Sequence, residues 1–244
     1  MSATPEESRL TITILYDNNP YDTRLRTAWG FSALVEVQAG VYLFDTGGDS
    51  PTLLENMRVL EIDPAPIQAV ILSHVHSDHV GGLEGLLREG IQPVVYVPPS
   101  FPESFKRSIS QQTAVVEVGM GQPIGEAVYT TGELGGSIRE QALVVMTPQG
   151  LVIITGCAHP GVVSIVERGI ALFNKPVYLV LGGFHLGDKS EAQVEAIVSS
   201  FRRLGVEKVA PCHCTGERAI QMFKDEYGDD FIEAGVGRVI VVGP

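Results

Sequence analysis

The stretch His74-Val75-His76-Ser77-Asp78-His79 follows the apolar run 69–72 and precedes Val80-Gly81-Gly82-Leu83. It places four side chains that can bind a metal within six positions, directly after a segment typical of a buried strand. Histidine and aspartate rarely stand together in a core, because a buried polar atom needs a partner and an unpaired carboxylate is costly to bury. A polar turn with incidental histidines is the alternative, but this density of donors favours a metal site.

The spacing within this stretch suits two neighbouring cations. In an extended segment, His74, His76 and Asp78 project to one side. If the chain then turns into a helix, Asp78 and His79 swing toward an adjacent point. The pattern therefore predicts one loop that supplies ligands to two metal ions.

The rest of the chain alternates strand and helix signals, without a linker or repeat. We expect a single domain over residues 1–244, in which two packed sheets carry helices on their outer faces. Residues 128–140 are predicted to form an irregular, glycine-rich pocket loop, and Ser50 is predicted to cap the first helix. Strands are predicted over residues 10–16, 32–37, 41–44, 67–73, 93–97, 143–146, 151–155, 177–181, 208–210 and 239–242. Helices are predicted over residues 51–60, 82–88, 102–110, 162–172, 191–204 and from 217 onward.

Composition and charge narrow the class of partner. The chain has 244 residues, of which 44% are hydrophobic and 19% charged, with a formal net charge of −12. This acidic balance argues against nucleic acid or an anionic membrane as a partner. The sequence shows no signal-peptide pattern and no apolar run long enough to span a membrane. With only three cysteines, it also shows no disulfide framework. We expect a cytoplasmic protein that acts on a small-molecule substrate, and its oligomeric state is left open.

All six histidines fall in loops that follow predicted strands. Loops at the ends of strands are where α/β folds build their sites, whereas unrelated surface histidines would also scatter onto helices. Imidazole and carboxylate ligands together suit zinc, with iron, manganese and nickel as alternatives. The histidines are His74, His76, His79, His159, His185 and His213.

These motifs together resemble the metallo-β-lactamase superfamily. Within it, the chain resembles the branch named for 7,8-dihydropterin-6-methyl-4-(β-D-ribofuranosyl)aminobenzene 5'-phosphate synthase. The resemblance spans residues 17–216 and implies an α/β fold of the αββα sandwich type, with a binuclear metal centre at one edge. Besides residues 74–79, it rests on Trp29-Gly30-Phe31-Ser32, Phe44-Asp45-Thr46-Gly47, Thr155-Gly156-Cys157-Ala158-His159-Pro160-Gly161, Gly182-Gly183-Phe184-His185 and His213-Cys214-Thr215-Gly216.

The resemblance also implies roles for single residues. By motif position, His74 and His76 bind the first metal. Asp78 and His79 bind the second, for which His213 is the last ligand. Asp45 resembles the aspartate that supports the metal-binding loop from beneath without touching the metal.

The middle of the family pattern is changed in this chain. The superfamily usually has a histidine ahead of a strand and a Gly-Asp pair at the end of that strand, where the aspartate bridges the metals. Gly156-Cys157 stands in the place of Gly-Asp, and residues 80–158 contain no histidine. His159 is the best replacement as a ligand of the first metal. Cys157 is a candidate metal ligand, with simple packing as the alternative.

Other residues near these motifs are candidates for catalysis or packing. Asp78 is a candidate catalytic residue that orients a water molecule. His185 is a second candidate, as a metal ligand, a general acid or a hydrogen-bonding contact to substrate, with a structural role as the alternative. Cys212 and Cys214 flank His213, so in an extended loop they would point away from it and pack.

Four residues are candidates for substrate binding, and each has an ordinary structural explanation. Trp29 would stack on a flat ring or fill the core. Thr215 would open an anion site at the last helix or act as a plain N-cap. Asp17 and Asn18 would bind a ligand or form an Asx turn.

Three functions are compatible with these residues. The first is a metallo-hydrolase that acts on a small ester or phosphoester with a metal-activated water. The second is a dihydropterin-binding transferase that condenses a pterin methyl diphosphate with an aromatic nucleophile. The third is a di-iron redox protein, but its known relatives typically carry Glu where His76 stands, which argues against it.

Overall fold

The computed structural model describes residues 9–136 and 138–243. Apolar residues form its strands, of which those in the centre of the second sheet, such as residues 151–155, are buried along their whole length. Segments with apolar residues on one face form most of its helices. The strands are β1 (Leu10–Tyr16), β2 (Ser32–Val37), β3 (Gly40–Phe44), β4 (Ile67–Ile71), β5 (Val94–Val97), β6 (Val115–Glu117), β7 (Pro123–Gly125), β8 (Val128–Thr130), β9 (Leu143–Met146), β10 (Leu151–Thr155), β11 (Val177–Gly183), β12 (Lys208–Cys212) and β13 (Val239–Val242). The helices are α1 (Ser50–Val59), α2 (Ser77–Val80), α3 (Leu83–Arg88), α4 (Glu103–Ser110), α5 (Val162–Phe173), α6 (Glu191–Arg203) and α7 (Glu217–Tyr227).

Two mixed sheets pack face to face. The first has the order β13-β1-β2-β3-β4-β5-β6, and the second has the order β12-β11-β10-β9-β8-β7. Their inner faces share one apolar core, which includes Ile12, Phe44, Ile71, Leu143 and Ile154, all excluded from solvent. This arrangement confirms the αββα sandwich predicted from the sequence.

A separate apolar layer lies on the outer face of each sheet. On the first sheet, Leu53 of α1 and Leu86 of α3 pack with Val70 and Val95. On the second, Ile165 of α5 and the aromatic side chains of α6 and α7 form the layer. The helices other than the short α2 therefore each bury apolar residues against a sheet.

Several local predictions need correction. Asp49, not Ser50, caps α1, because its carboxylate accepts the backbone N–H of Thr52 while Ser50 is already helical. The segment 128–140 begins as strand β8, which pairs with β9, and among its other described residues Leu134 and Glu140 form an isolated antiparallel bridge. The short edge strands β6 and β7 were not predicted, since three residues are too few to show a clear alternation.

The topology places the histidine loops together. Strands β10, β11 and β12 run parallel, so their C-terminal ends share one edge of the second sheet. The loop after β4 of the first sheet meets this edge. Over the described ranges, no helix has both the length and the apolar character needed to cross a bilayer.

Candidate metal centre

The loop after β4 turns directly into α2, as the spacing of its ligands predicts. His76 occupies the N-cap position and α2 spans Ser77–Val80. The fully buried ring of His74 lies 4.6 Å from that of His76 and 4.2 Å from that of His79, measured between centroids. One short segment therefore gathers three imidazoles.

The loop after β10 brings the first group of donors together. One donor atom each from His74, Cys157 and His159 lies within 4.8 Å of the others. The ring of His76 is close as well, 5.0 Å from that of His159. The Nε2 atoms of His74 and His159 are buried without any hydrogen-bond partner among the described residues. Such unpaired nitrogens are costly unless a cation binds them, so this group fits a metal.

The second group combines Asp78, His79, Cys157 and His213, again within 4.8 Å. The Cys157 Sγ lies 3.2 Å from His79 Nε2 and 3.3 Å from His213 Nε2. The Asp78 Oδ2 lies 3.6 Å from His79 Nε2 and 3.5 Å from His213 Nε2. Cys157 belongs to both groups, where the family pattern has its bridging aspartate. Imidazole, carboxylate and thiolate donors in such groups suit zinc.

Asp45 holds this arrangement from below, as the resemblance implies. Its fully buried carboxylate lies 2.7 Å from His79 Nδ1 and accepts hydrogen bonds from the backbone N–H and the hydroxyl of Ser73. Asn18 acts similarly on His213, whose Nδ1 lies 2.8 Å from Asn18 Oδ1. Partners of this kind fix ring orientation and leave the other nitrogen, Nε2, directed at the metal position.

Glu140 is a residue that the sequence analysis missed. It is fully buried ahead of β9 and accepts the backbone N–H groups of Cys157, Ala158 and His159, each at 2.9 Å. Its Oε2 also lies 4.0 Å from His74 Nδ1. A single glutamate ahead of a strand carries no recognisable motif, so nothing in the sequence distinguished it.

Cys212 and Cys214 differ from each other, which corrects one expectation. Cys212 is fully buried in the core between the sheets. Cys214 instead lies beside Cys157 and His185, with one donor atom from each within 4.8 Å. The segment His213–Thr215 is a 3₁₀ turn rather than an extended loop, and this turn brings Cys214 to the site.

His185 stands at the open side of the centre. Its side chain is exposed, and its ring lies 4.4 Å from that of His159. It belongs to neither of the two main donor groups. Its φ of 54° is in the left-handed region, an uncommon and costly conformation for a residue with a side chain.

The four substrate candidates lie in different settings. Trp29 is 60% exposed, with its ring 5.0 Å from that of His213. Asn18 is near the site but engaged with His213. Asp17 is fully buried and bonded to Asn19, as in an Asx turn. The Thr215 hydroxyl bonds to Cys212 and Phe184, and Gly216 rather than Thr215 precedes α7.

Burial and neighbouring groups set the protonation of the site. For Asp78, burial raises the pKa, but the hydrogen bond to His213 and the charges of His79 and His213 outweigh it and bring the pKa to about 2. Burial, together with neighbouring histidines, lowers the pKa of His159 to about 4 and that of His74 even further. The carboxylate of Asp78 and the neutral rings of His74 and His159 are the forms that bind metals. Burial raises the pKa of Glu140 to about 7.

Similarity to known proteins agrees with this geometry. A family model described as the metallo-β-lactamase superfamily matches residues 30–171. The 7,8-dihydropterin-6-methyl-4-(β-D-ribofuranosyl)-aminobenzene-5'-phosphate synthase of Methanocaldococcus jannaschii is 30% identical, over 93% of this chain and 95% of that protein.

Solved structures show the same likeness. The structure of a metal-dependent hydrolase of the β-lactamase superfamily matches with a TM-score of 0.81 and 30% identity, covering 96% of this chain and 100% of that one. The metallo-β-lactamase fold protein YhfI of Bacillus subtilis matches with a TM-score of 0.73 and 15% identity, over 96% of this chain and 100% of that one, and supports the fold alone. The predicted family is thus confirmed, and this chain belongs to the metallo-β-lactamase superfamily.

Proposed function

We propose that this protein is a metal-dependent hydrolase of a small ester or phosphoester. The observation that carries the proposal is the pair of donor groups that share Cys157 at one edge of the sandwich. His74, His76 and His159 would hold one divalent cation, and Asp78, His79 and His213 would hold a second. When bound, such cations lower the pKa of a coordinated water toward ~7 and polarise the carbonyl or phosphoryl group under attack.

The residues of the chain would supply proton transfer around that chemistry. Asp78 is a carboxylate at neutral pH, because its pKa is about 2. It can therefore accept a hydrogen bond from the attacking water and orient it. His185, at the open side of the site, can donate a proton to the departing group. The hydrogen bond with Cys214 raises the pKa of His185, which favours its protonated form.

A cleft beside the metal centre suits a small anionic substrate. The cleft is lined by Val75, His76, Ser100, Ile138 and Arg139. The guanidinium of Arg139 provides a positive charge on an acidic protein, although it also pairs with Glu133 at 2.8 Å. Arginine binds phosphate and carboxylate oxygens well. This side of the cleft therefore favours a phosphoester, or an ester that carries a negatively charged group, over an uncharged ester.

The test is a turnover assay with chromogenic carboxylate esters and phosphodiesters. We expect activity that chelation abolishes and that zinc restores. Asp78→Asn should lower kcat at least about tenfold, since general acid–base groups contribute about 10²–10⁴ to the rate. An exposed control, Asp63→Asn, should leave the rate unchanged. Activity that survives complete removal of metal would refute the proposal.

A transferase that acts on a dihydropterin is the second candidate. It is favoured by Trp29, whose exposed ring beside His213 offers a surface on which a flat heterocycle can stack. The relative from M. jannaschii carries a name of that kind. This candidate predicts saturable quenching of the single tryptophan by a dihydropterin, with little ester hydrolysis. Trp29→Phe is the control, because it removes the tryptophan fluorescence and should therefore show no quenching.

A further inference from the structure

A third group of donors lies beside the two described above. The Sγ atoms of Cys157 and Cys214 and a ring nitrogen of His185 all lie within 4.8 Å of one another. These residues come from the loops after three neighbouring parallel strands, β10, β11 and β12. The family pattern assigns no role to Cys214 or to this combination.

The backbone around this group is tightly packed and partly strained. A Cβ on Gly183 would lie 2.7 Å from the Sγ of Cys214 and 2.4 Å from the backbone oxygen of Gly156, so any side chain there would displace the thiol or the neighbouring loop. His185 adopts its left-handed φ of 54° at the same place. Strained backbone and an obligatory glycine around one cluster are typical of functional sites.

Cys212 shows what a cysteine used for packing looks like in the same turn. It is fully excluded from solvent among apolar side chains between the two sheets. Cys214 is 9% exposed and faces another thiol and an imidazole. The two cysteines are only two residues apart in the sequence. Their different neighbours therefore show that Cys214, unlike Cys212, is placed among groups that can bind a metal.

We propose that Cys157, Cys214 and His185 form a third cation position, selective for a thiophilic metal such as zinc. Two thiolates and one imidazole are a ligand set that catalytic zinc sites use, with the fourth position left for water or substrate. The exposed side of His185 supplies that opening. On binding, the two thiols bond to the metal as thiolates and release their protons to solvent. Soft thiolate donors favour zinc over manganese or magnesium.

This inference goes beyond the proposed hydrolase, in which two positions held mainly by histidine and aspartate bind metal and His185 donates a proton. A cation bound to the His185 ring at the third position would replace that proton-donating role. The third position shares Cys157 with them and otherwise uses different residues. Loss of the third metal and loss of the first two are therefore separable by mutation.

The experiment measures zinc content and cobalt spectra of the whole protein. The full chain is purified without chelator, and the variants Cys214→Ser, His185→Ala and Cys212→Ser are compared with wild type. In Cys214→Ser, we expect about one zinc equivalent fewer per chain and a weaker near-ultraviolet thiolate-to-cobalt band after cobalt loading. His185→Ala is exposed and should fold normally. It should weaken binding of that same equivalent by about 10–100-fold, as expected when a metal ligand or its support is lost.

The controls separate this proposal from the main one. Cys212→Ser, a change in the core, should retain wild-type zinc content and cobalt absorption. His74→Ala should lose metal from the first position but keep the thiolate-to-cobalt band that depends on Cys214. The proposal is overturned if Cys214→Ser and His185→Ala both keep wild-type zinc content and cobalt spectrum. It is also overturned if mass spectrometry shows Cys157 and Cys214 joined as a disulfide in the zinc-loaded protein.

Discussion

Asp45 shows how a single buried carboxylate can position two histidines of the candidate metal centre. It adopts a left-handed φ of 55° directly after β3. One oxygen accepts the backbone N–H of Ser73, and the other meets both the Ser73 hydroxyl and His79 Nδ1, all at 2.7 Å. The hydroxyl of Ser73 in turn lies 2.9 Å from His74 Nδ1. The ring orientations of both histidines thus depend on Asp45.

A first prediction concerns this residue. Asp45→Asn keeps the size of the side chain but removes the charge that favours the directed hydrogen bond from His79. We expect metal affinity to fall by about 10–100-fold, the usual effect of losing such a supporting partner. Competition with a coloured chelator measures the affinity, and Asp63→Asn, at an exposed turn, is the matched control. Equal affinities in both variants would contradict the assigned role.

A second prediction concerns Glu140. Glutamine has one acceptor oxygen and one NH₂ group, so Glu140→Gln would turn an N–H donor toward at least one of the N–H groups of residues 157–159. An unsatisfied buried donor costs about 1–3 kcal/mol, so we expect the free energy of unfolding to fall by that amount. Urea denaturation measures it, with Glu195→Gln, an exposed glutamate on α6, as control. If Glu140→Gln is as stable as wild type, the glutamate does not hold this loop.

At the scale of elements, the site depends on how closely neighbouring strand ends approach each other. Gly183 at the end of β11 donates its backbone N–H to the carbonyl of Gly156, at 3.1 Å, just beyond the end of β10. This contact places the loop of Cys157 beside the loop of His185. No side chain fits between them, since a Cβ on Gly183 would lie 2.4 Å from the oxygen of Gly156.

A third prediction follows for Gly183→Ala. The added methyl group meets a backbone oxygen, which cannot turn aside, so β10 and β11 must separate at their ends. We expect a loss of about 1–3 kcal/mol in the free energy of unfolding, as for overpacked core positions, together with reduced zinc content. Gly136→Ala is the control, because a Cβ there would have no atom of the described residues within 4 Å, apart from its chain neighbours. Equal stability of the two variants would show that the strand ends can move apart freely.

Features that depend on local sequence could be predicted, whereas features that depend on contacts between distant loops could not. The loop 74–79 and the strands before each histidine were predictable, because ligand spacing and apolar alternation are local patterns. Glu140 and Cys214 were not, because their roles arise from contacts between loops that are distant in sequence. Strand β12 was also predicted too short. The prediction ended at residue 210, yet the strand continues through Pro211 to Cys212 beside its parallel neighbour β11.

At the scale of the molecule, the candidate metal centre ties the two sheets together at one edge. His74 and His79 follow the first sheet, whereas His159 and His213 follow the second. Among the described residues, apolar packing of the inner faces also holds the sheets together, and the Gln141 side chain donates hydrogen bonds to the carbonyls of Leu72 and Tyr96. Cations bound between these loops would therefore act as crosslinks between the two halves of the sandwich.

A fourth prediction is that removal of metal destabilises the whole fold. A ligand present at 100 times its dissociation constant stabilises the native state by about 2.7 kcal/mol. We therefore expect chelation to lower the melting temperature and added zinc to restore it. Magnesium, which prefers all-oxygen sites, should not restore it. An unchanged melting temperature after verified metal removal would mean that the loops are held without cations.

The metal content of single-histidine variants tests directly whether the strand-end loops form a metal centre. Inductively coupled plasma mass spectrometry of protein purified without chelator would compare wild type with His74→Ala and His79→Ala, one from each donor group. We predict that each variant contains about one zinc equivalent fewer than wild type, since each loses an imidazole ligand of one position. Zinc content equal to wild type in both variants would contradict the claim that these strand-end loops form a metal centre.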